Sequence, residues 1–135
     1  MENASCVLDA SALLAYLSDE AGAQVVEDAL VRGSAISAVN LAEVLSKLAE
    51  IGEDPDEVKE NLQRRGILGG KLAVFPLTAE DAVMIANLHR RTKAFGLSLG
   101  DRACLGLAIR LHVPAVTADH AWSRLKVGVK VEAIR

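Results

Sequence analysis

Aromatic residues and cysteines are both scarce in this sequence. Aromatics make up 3% of the 135 residues, so the core must be built from Leu, Val, Ile and Ala. The two cysteines, Cys6 and Cys104, lie far apart in apolar runs, which excludes a disulfide framework or a zinc-knuckle spacing and predicts two small buried side chains. A hydrophobic content of 51% excludes wholesale disorder. This length predicts a single domain, residues 1–135, that folds without a disulfide or metal.

Long hydrophobic runs are also missing. No stretch approaches the roughly 18 apolar residues that a membrane span needs. The first apolar run, residues 6–17, contains Asp9 and has no basic residue ahead of it, so no signal peptide is expected. The expectation is a cytoplasmic protein without a membrane partner.

The sequence also lacks an excess of basic residues. The formal net charge is −3, which argues against a general nucleic-acid coat protein because phosphate binding favours basic surfaces. The objection weakens if several of the acidic residues hold metal ions.

Short apolar runs alternate along the chain with helical patterns. Helices are predicted at 23–31, 41–51, 57–65 and 102–111, with others after Asp9 and Thr78. The alternation predicts an α/β fold with a mostly parallel central sheet flanked by helices, an α/β/α sandwich. Ligands of open parallel sheets bind outside the carboxyl ends of the strands. The predicted strands are residues 5–8, 35–37, 71–76, 113–116 and 127–134.

Four acidic residues lie where that rule directs attention. Asp9 ends the first strand, Glu43 lies in the first turn of the helix after the second strand, Asp101 begins a helix, and Asp119 follows the fourth strand. Unlike the other acids, these four are embedded in hydrophobic sequence. Carboxylates clustered at one sheet edge repel one another unless a cation holds them, and hard oxygen ligands suit Mg²⁺, with Mn²⁺ as a substitute.

Each acid also has a simpler explanation near a helix start. Asp9 alone would cap the helix after its strand, and Asp119 would lie in the first turn of a helix capped by Thr117. Asn40 with Glu43, and Ser98 with Asp101, have the spacing of a capping box. The flanking residues that we predict as caps are Ser11, Asn40 (with Glu43), Ser98 (with Asp101) and Thr117.

The segments around these acids carry a resemblance to a known family. VLDASALLAYL, ISAVNLAEVLSKL, LSLGDRACLGLA and AVTADHAW resemble, in order, the four motif blocks of PIN domains in the VapC toxin family. The resemblance implies a PIN-like fold and a Mg²⁺-dependent endoribonuclease, the toxin of a type II toxin–antitoxin pair. It further implies a homodimer and a cognate antitoxin protein as partner. The residues that match the family's acidic quartet are Asp9, Glu43, Asp101 and Asp119.

The resemblance also implies a chemistry for this quartet. Carboxylates that hold one or two Mg²⁺ ions activate a water molecule for in-line attack and stabilise the leaving oxygen, so no protein nucleophile is needed. Products with 5′-phosphate and 3′-hydroxyl ends are expected. Asp9 and Asp101 are the strongest candidate ligands, and Glu43 or Asp119 would act through water or hold a second ion.

The sequence supports other functions less well. A non-catalytic PIN-like interaction module would keep the fold and bind a partner without cleaving RNA. An aspartyl phosphatase needs a second Asp two residues after Asp9, where Ser11 stands, and a phosphoacceptor receiver domain needs an acidic pair beside Asp9. Dinucleotide binding lacks its glycine-rich turn.

Basic residues and histidines add only modest signals. The run Arg90, Arg91 and Lys93 ends a helix, where the macrodipole favours cations, with RNA contact as the alternative. Arg102 directly follows Asp101 and is a candidate phosphate contact. The histidines, including His120 beside Asp119, are too widely spaced for a local zinc motif.

Overall fold

The computed structural model describes residues 4–135. Its centre is a sheet of five strands, all parallel, in the order β3-β2-β1-β4-β5. β1 is the middle strand, with Val7 opposite Ala35 and Ala115. The predicted mostly parallel sheet is confirmed. The strands are β1 (Val7–Leu8), β2 (Ser34–Ser37), β3 (Leu72–Phe75), β4 (Ala115–Thr117) and β5 (Val131–Ala133).

Six α-helices flank the sheet, and several begin or end at residues that the sequence identifies. The Asp54 side chain accepts hydrogen bonds from the first-turn amides with Pro55 next to it, and Thr78 forms a capping box with Asp81. Short 3₁₀ helices lie at Lys93–Phe95 and His120–Arg124. The α-helices are α1 (Ala10–Leu17), α2 (Ala23–Arg32), α3 (Ala38–Glu50), α4 (Pro55–Arg64), α5 (Ala79–Arg91) and α6 (Leu99–Leu111).

The two faces of the sheet bury separate apolar clusters. Leu8 belongs to the cluster that contains side chains of α1 to α4, and its neighbour Val7 belongs to the cluster built on α5 and α6. Both are fully buried, as expected for adjacent residues of a central strand whose side chains alternate between covered faces. This arrangement confirms the predicted α/β/α sandwich. No helix within residues 4–135 has the length and apolarity needed to cross a bilayer.

The helices α5 and α6 pack through polar contacts as well as apolar ones. Arg110 Nε lies 3.1 Å from Asp81 Oδ1, and the same guanidinium lies 5.7 Å from the centre of the Phe75 ring. At the other end, Arg102 Nη1 donates a 3.0 Å hydrogen bond to the carbonyl of Ile85. The two helices are thereby held together at both ends of α6.

Two helix starts differ from the prediction. α3 begins at Ala38, three residues earlier than predicted, because the Ser37 side chain accepts a 3.1 Å hydrogen bond from the Val39 amide. α6 begins at Leu99, three residues before the predicted helix 102–111, at the Ser98 cap that the sequence also predicts. Both earlier starts change where an acidic residue lies in its helix, Glu43 in α3 and Asp101 in α6.

Candidate active site

Asp9 is the buried centre of the candidate site. It follows β1, caps α1, and is 5% exposed. Its Oδ1 accepts hydrogen bonds from Ser11 Oγ (2.7 Å) and from the Ala12 amide (2.8 Å), and its Oδ2 accepts one from Thr117 Oγ1 (2.6 Å). The cap uses one carboxylate oxygen, and the other is held by a residue of β4.

Opposing influences act on the pKa of Asp9. Burial raises it above the usual value, and the charge of Asp101 raises it further. Hydrogen bonds from Thr117, Ala12 and Ser11 lower it, because they stabilise the ionised carboxylate. The net direction is upward, because burial is the largest of these influences.

Asp101 lies in the first turn of α6. Its Oδ2 accepts a 2.9 Å hydrogen bond from the Ser98 amide, and its own amide donates to Ser98 Oγ at 3.1 Å. The predicted capping box is confirmed. Within residues 4–135, Oδ1 of Asp101 makes no hydrogen bond, so one carboxylate oxygen remains available to a ligand.

Glu43 does not act as a helix cap. Because α3 starts at Ala38, Glu43 is its sixth residue, and the capping box predicted for Asn40 and Glu43 is wrong. Asn40 lies inside the helix, and its Nδ2 donates a 2.7 Å hydrogen bond to Glu43 Oε1. A capping role therefore does not account for the Glu43 carboxylate.

Gly100 brings Glu43 close to the start of α6. Asn40 Nδ2 also donates to the Gly100 carbonyl at 3.0 Å, so one buried amide group links α3 to α6. A Cβ atom on Gly100 would lie 2.6 Å from Glu43 Cδ and Oε2, closer than real Cβ contacts. A side chain at this position would therefore force the Glu43 carboxylate to move away from the backbone, one residue before Asp101.

Asp119 lies at the rim of this group. It is exposed and caps the 3₁₀ helix through a 3.0 Å hydrogen bond from the Ala121 amide to its Oδ1. The prediction that Thr117 caps a helix with Asp119 in its first turn is wrong, since Asp119 is itself the cap. Thr117 Oγ1 instead accepts from the Asp119 amide at 3.0 Å while donating to Asp9.

Cys104 is a fully buried thiol on α6. Burial raises its pKa, and the charges of Asp9, Asp101 and Glu43 all raise it further. Asp9 follows β1, Asp101 lies on α6, and Glu43 lies on α3 with its carboxylate against Gly100 of α6. Within residues 4–135 they are nonetheless not drawn together into a group of three His, Cys, Asp or Glu able to hold a metal ion. The metal-binding role of the four acids stays a prediction.

The donor set has the chemistry that a divalent cation requires. The ion pairs among the described residues join other acids to Arg64, Arg110 and Arg135, and none involves Asp9, Glu43 or Asp101. Beside Glu43, the buried Asn40 Oδ1 has no hydrogen-bond partner. Hard oxygen atoms without a basic counterion fit Mg²⁺ or Mn²⁺ better than zinc.

Several supporting residues acquire their roles only in the folded chain. Ser98 is the cap that the sequence predicts, whereas Ser11, Thr117 and Asn40 hold the carboxylates of Asp9 and Glu43. Ser11 Oγ also accepts from the Ala118 amide at 2.9 Å. The role of Gly100 was not predicted from the sequence, although a glycine within a helix is a signal of close approach.

Arg102 does not have the environment expected of a phosphate contact. Its side chain is half-buried between α6 and α5, where Nη1 bonds the Ile85 carbonyl and Nε is buried without a partner. The role of Arg102 is therefore in helix packing. Its position next to Asp101 in the sequence was misleading, since adjacent helical residues point in different directions.

Three comparisons place the chain among known proteins. A toxin–antitoxin complex from Klebsiella pneumoniae is similar at TM-score 0.74 and 17% identity, over 97% of this chain and 98% of that one. FitAcB from Neisseria gonorrhoeae gives 0.73 and 19%, over 96% and 97%. VapBC2 from Rickettsia felis, bound to a promoter DNA fragment, gives 0.69 and 16%, over 95% and 97%. A search of curated proteins found no match.

At these identities the structural likeness establishes the fold. The family profile described as PIN domain matches residues 6–128, which include all four candidate acids and nearly the whole sandwich. The chain belongs to the PIN domain family.

Proposed function

We propose that this protein is a metal-dependent endoribonuclease and the toxin of a toxin–antitoxin pair. PIN domains are generally nucleases, and the solved structures similar to this chain include toxin–antitoxin complexes. The observation that carries the proposal is a pair of contacts: the Asn40 amide binds both the Glu43 carboxylate and the Gly100 carbonyl, one residue before Asp101, and no ion pair among the described residues involves Asp9, Glu43 or Asp101. A purely structural role does not require these acids to lack a basic partner.

Asp9, Asp101 and Glu43 would hold the cation, with Asp119 at the rim as a further ligand or a contact through water. A bound Mg²⁺ or Mn²⁺ ion supplies activation of water and charge stabilisation at the leaving oxygen. Asp101 Oδ1 is free of hydrogen bonds within residues 4–135, and Asp9 is held in one orientation by three donors. Fixed ligands lower the reorganisation that binding requires.

The neighbouring residues prepare these carboxylates for binding. Thr117, Ser11 and the Ala12 amide counteract the effect of burial and favour the ionised form of Asp9. Asn40 holds the Glu43 carboxylate against Gly100. The donors to Asp9 therefore favour its negative charge at a position where burial opposes it, and Asn40 fixes the position of the Glu43 carboxylate.

A groove on another face is the proposed binding surface for the antitoxin. It has a volume of about 860 Å³ and lies where the ends of α1 and α3 meet α4. Its lining combines apolar side chains such as Ile51, which is 74% exposed, with the charged residues of α4. An amphipathic segment of an antitoxin has the complementary character.

The decisive experiment is RNA cleavage by the purified protein with and without Mg²⁺. We expect wild type to cleave RNA with Mg²⁺, leaving 5′-phosphate and 3′-hydroxyl ends, and to be inactive in EDTA. Asp101→Asn keeps the shape and the capping oxygen but removes charge, so nearly all activity should be lost. Asp28→Asn, an exposed acid on α2, is the matched control and should cleave normally.

Two results would refute the proposal. One is a folded Asp101→Asn protein that cleaves RNA at the wild-type rate. The other is a wild-type protein whose melting temperature and RNA are both unchanged by Mg²⁺, which is the behaviour of a non-catalytic PIN-like interaction module.

A further inference from the structure

The segment between Asp81 and Asp101 has a charge opposite to that of the whole protein. Residues 82–100 contain no Asp or Glu but carry Arg90, Arg91 and Lys93, in a chain whose net charge is −3. All three basic side chains are exposed, and none forms an ion pair with residues 4–135. The helix dipole accounts for cations in the last turn of α5, but Lys93 lies beyond it.

The same segment carries an exposed aromatic ring. Of the four aromatic residues, all in the described part of the chain, Trp122 is buried and Tyr16 and Phe75 are half-buried. Phe95, on the 3₁₀ helix after α5, is 42% exposed, and nearby Leu99 is 56% exposed. In a protein so poor in aromatics, an exposed phenylalanine beside three unpaired cations calls for an explanation.

This segment leads directly into the candidate active site. Phe95 lies three residues before Ser98, whose amide binds Asp101 Oδ2 at 2.9 Å. Three Cα steps cover at most about 11 Å. The backbone of Phe95 therefore lies within reach of a nucleotide that flanks a phosphodiester group at Asp101, and the three cations precede Phe95 in the same exposed segment.

We propose that Phe95, Arg90, Arg91 and Lys93 form a subsite for single-stranded RNA, next to the candidate active site and dependent on the ribonuclease function proposed above. A base stacks on the Phe95 ring while the cations contact neighbouring phosphates, the combination by which proteins hold single strands. The strand must be unpaired, because a duplex keeps its base faces stacked inside the helix. Stacking tolerates any base, so the subsite contributes affinity rather than sequence readout.

The test measures RNA binding separately from cleavage. A short fluorescein-labelled single-stranded RNA of mixed sequence is titrated in EDTA, and its anisotropy gives Kd. Phe95→Leu keeps apolar packing but removes the ring, and should weaken binding about tenfold, whereas Phe95→Tyr should bind like wild type. With Mg²⁺, Phe95→Leu should raise KM and leave kcat nearly unchanged.

Charge variants test the interaction with phosphates. Arg90→Gln with Arg91→Gln should weaken binding and flatten its salt dependence by about 0.7 in the log–log slope for each phosphate that is no longer neutralised. The matched control is Arg64→Gln with Arg65→Gln, which removes the same charge from the exposed end of α4. This control should leave RNA affinity and salt dependence unchanged.

Several results would overturn the subsite. One is wild-type protein that does not bind the single-stranded RNA, and another is duplex RNA that binds as tightly as the single strand. The others are equal RNA affinities of Phe95→Leu and Phe95→Tyr, or equal losses of RNA affinity in the two double arginine variants. A change of oligomeric state in Phe95→Leu without a change in RNA affinity would identify a self-association surface instead.

The cleavage assay keeps the two proposals distinguishable. A wild type that binds RNA through Phe95 but never cleaves it would refute the nuclease and leave Phe95 as an RNA contact outside an enzyme. A wild type that cleaves, with Kd and KM unaffected by Phe95→Leu, would refute only the subsite.

Discussion

The Thr117 hydroxyl donates a 2.6 Å hydrogen bond to Asp9 Oδ2 and thereby joins the carboxyl ends of β4 and β1. The same hydroxyl accepts from the Asp119 amide at 3.0 Å. One side chain therefore connects the buried acid of the candidate site with the acid at its rim.

Replacing Thr117 with Val should destabilise the protein at neutral pH. The change leaves Asp9 Oδ2 buried without its donor, which costs on the order of 1–3 kcal/mol of unfolding free energy. Urea denaturation measures the loss, and Thr117→Ser, which keeps the hydroxyl, should retain most of the stability. Equal stabilities for the Val and Ser variants would show that the hydrogen bond contributes nothing.

Neutralising Asp9 should change how metal-free stability depends on pH. Because the folded pKa of Asp9 is raised above the ordinary 3.8, the folded protein holds this proton more tightly than the unfolded chain does. Wild type therefore loses stability relative to Asp9→Asn as pH rises from below 3.8 through the raised pKa. Thermal unfolding in EDTA should show that Asp9→Asn and wild type are equally stable near the acid limit. At neutral pH, Asp9→Asn should be at least as stable as wild type.

The cap provides the control for that experiment. Asn caps a helix about as well as Asp, but Asp9→Ala removes the cap and should cost roughly 0.5–2 kcal/mol. If Asp9→Asn loses as much stability as Asp9→Ala at neutral pH, the charge of Asp9 stabilises the fold, contrary to the penalty expected from its burial.

Magnesium should raise the melting temperature of wild type and not of Asp9→Asn or Asp101→Asn. A ligand that binds only the folded state stabilises it by mass action, and both variants lose a charged ligand. Differential scanning fluorimetry with and without Mg²⁺ measures the shift. If both variants keep the wild-type rise in melting temperature with Mg²⁺, the cation binds at a site that does not include Asp9 or Asp101.

Gly100→Ala should reduce activity far more than Gly106→Ala on the same helix. A Cβ at Gly100 would collide with the Glu43 carboxylate and displace it. At Gly106, the Cβ would approach Met84 Cγ at 3.3 Å, a flexible side chain that can shift. We expect a loss of about tenfold or more for Gly100→Ala, the scale on which misplaced catalytic groups act. Similar activities for the two variants would indicate that the position of Glu43 is not important.

The family resemblance and the apolar surface together predict a homodimer. Val74, Leu77 and Val83, on β3, the following loop and α5, are 40%, 44% and 63% exposed. Such surface on neighbouring segments is suited to association with a second copy. Light scattering at micromolar concentration should give twice the chain mass, and a monomer would contradict the prediction.

The parts of the fold that the sequence by itself determined are those set by near neighbours. Apolar runs indicate each strand, Asp54 with Pro55 marks the start of α4, and Ser98 pairs with Asp101 three residues on. Such signals can be read because their hydrogen bonds join residues within one turn, where backbone geometry alone brings donor and acceptor together. The alternation of strands and helices also correctly predicts the parallel sheet, and its motifs indicate the family.

Only the tertiary structure decided how the acids are held. The Thr117–Asp9 bond joins residues 108 apart, and Asn40 reaches Gly100 across 60 residues. The same packing turned Arg102 towards Ile85. The capping box predicted for Asn40 and Glu43 failed for a local reason, because the Ser37 side chain starts α3 three residues earlier. The long-range contacts depend on the order of strands and the docking of α3 on α6, because segments distant in sequence meet only after the sheet has assembled. The sequence pattern thus identifies candidate acids. The long-range hydrogen bonds that fix the position of their carboxylates form only in the assembled sandwich.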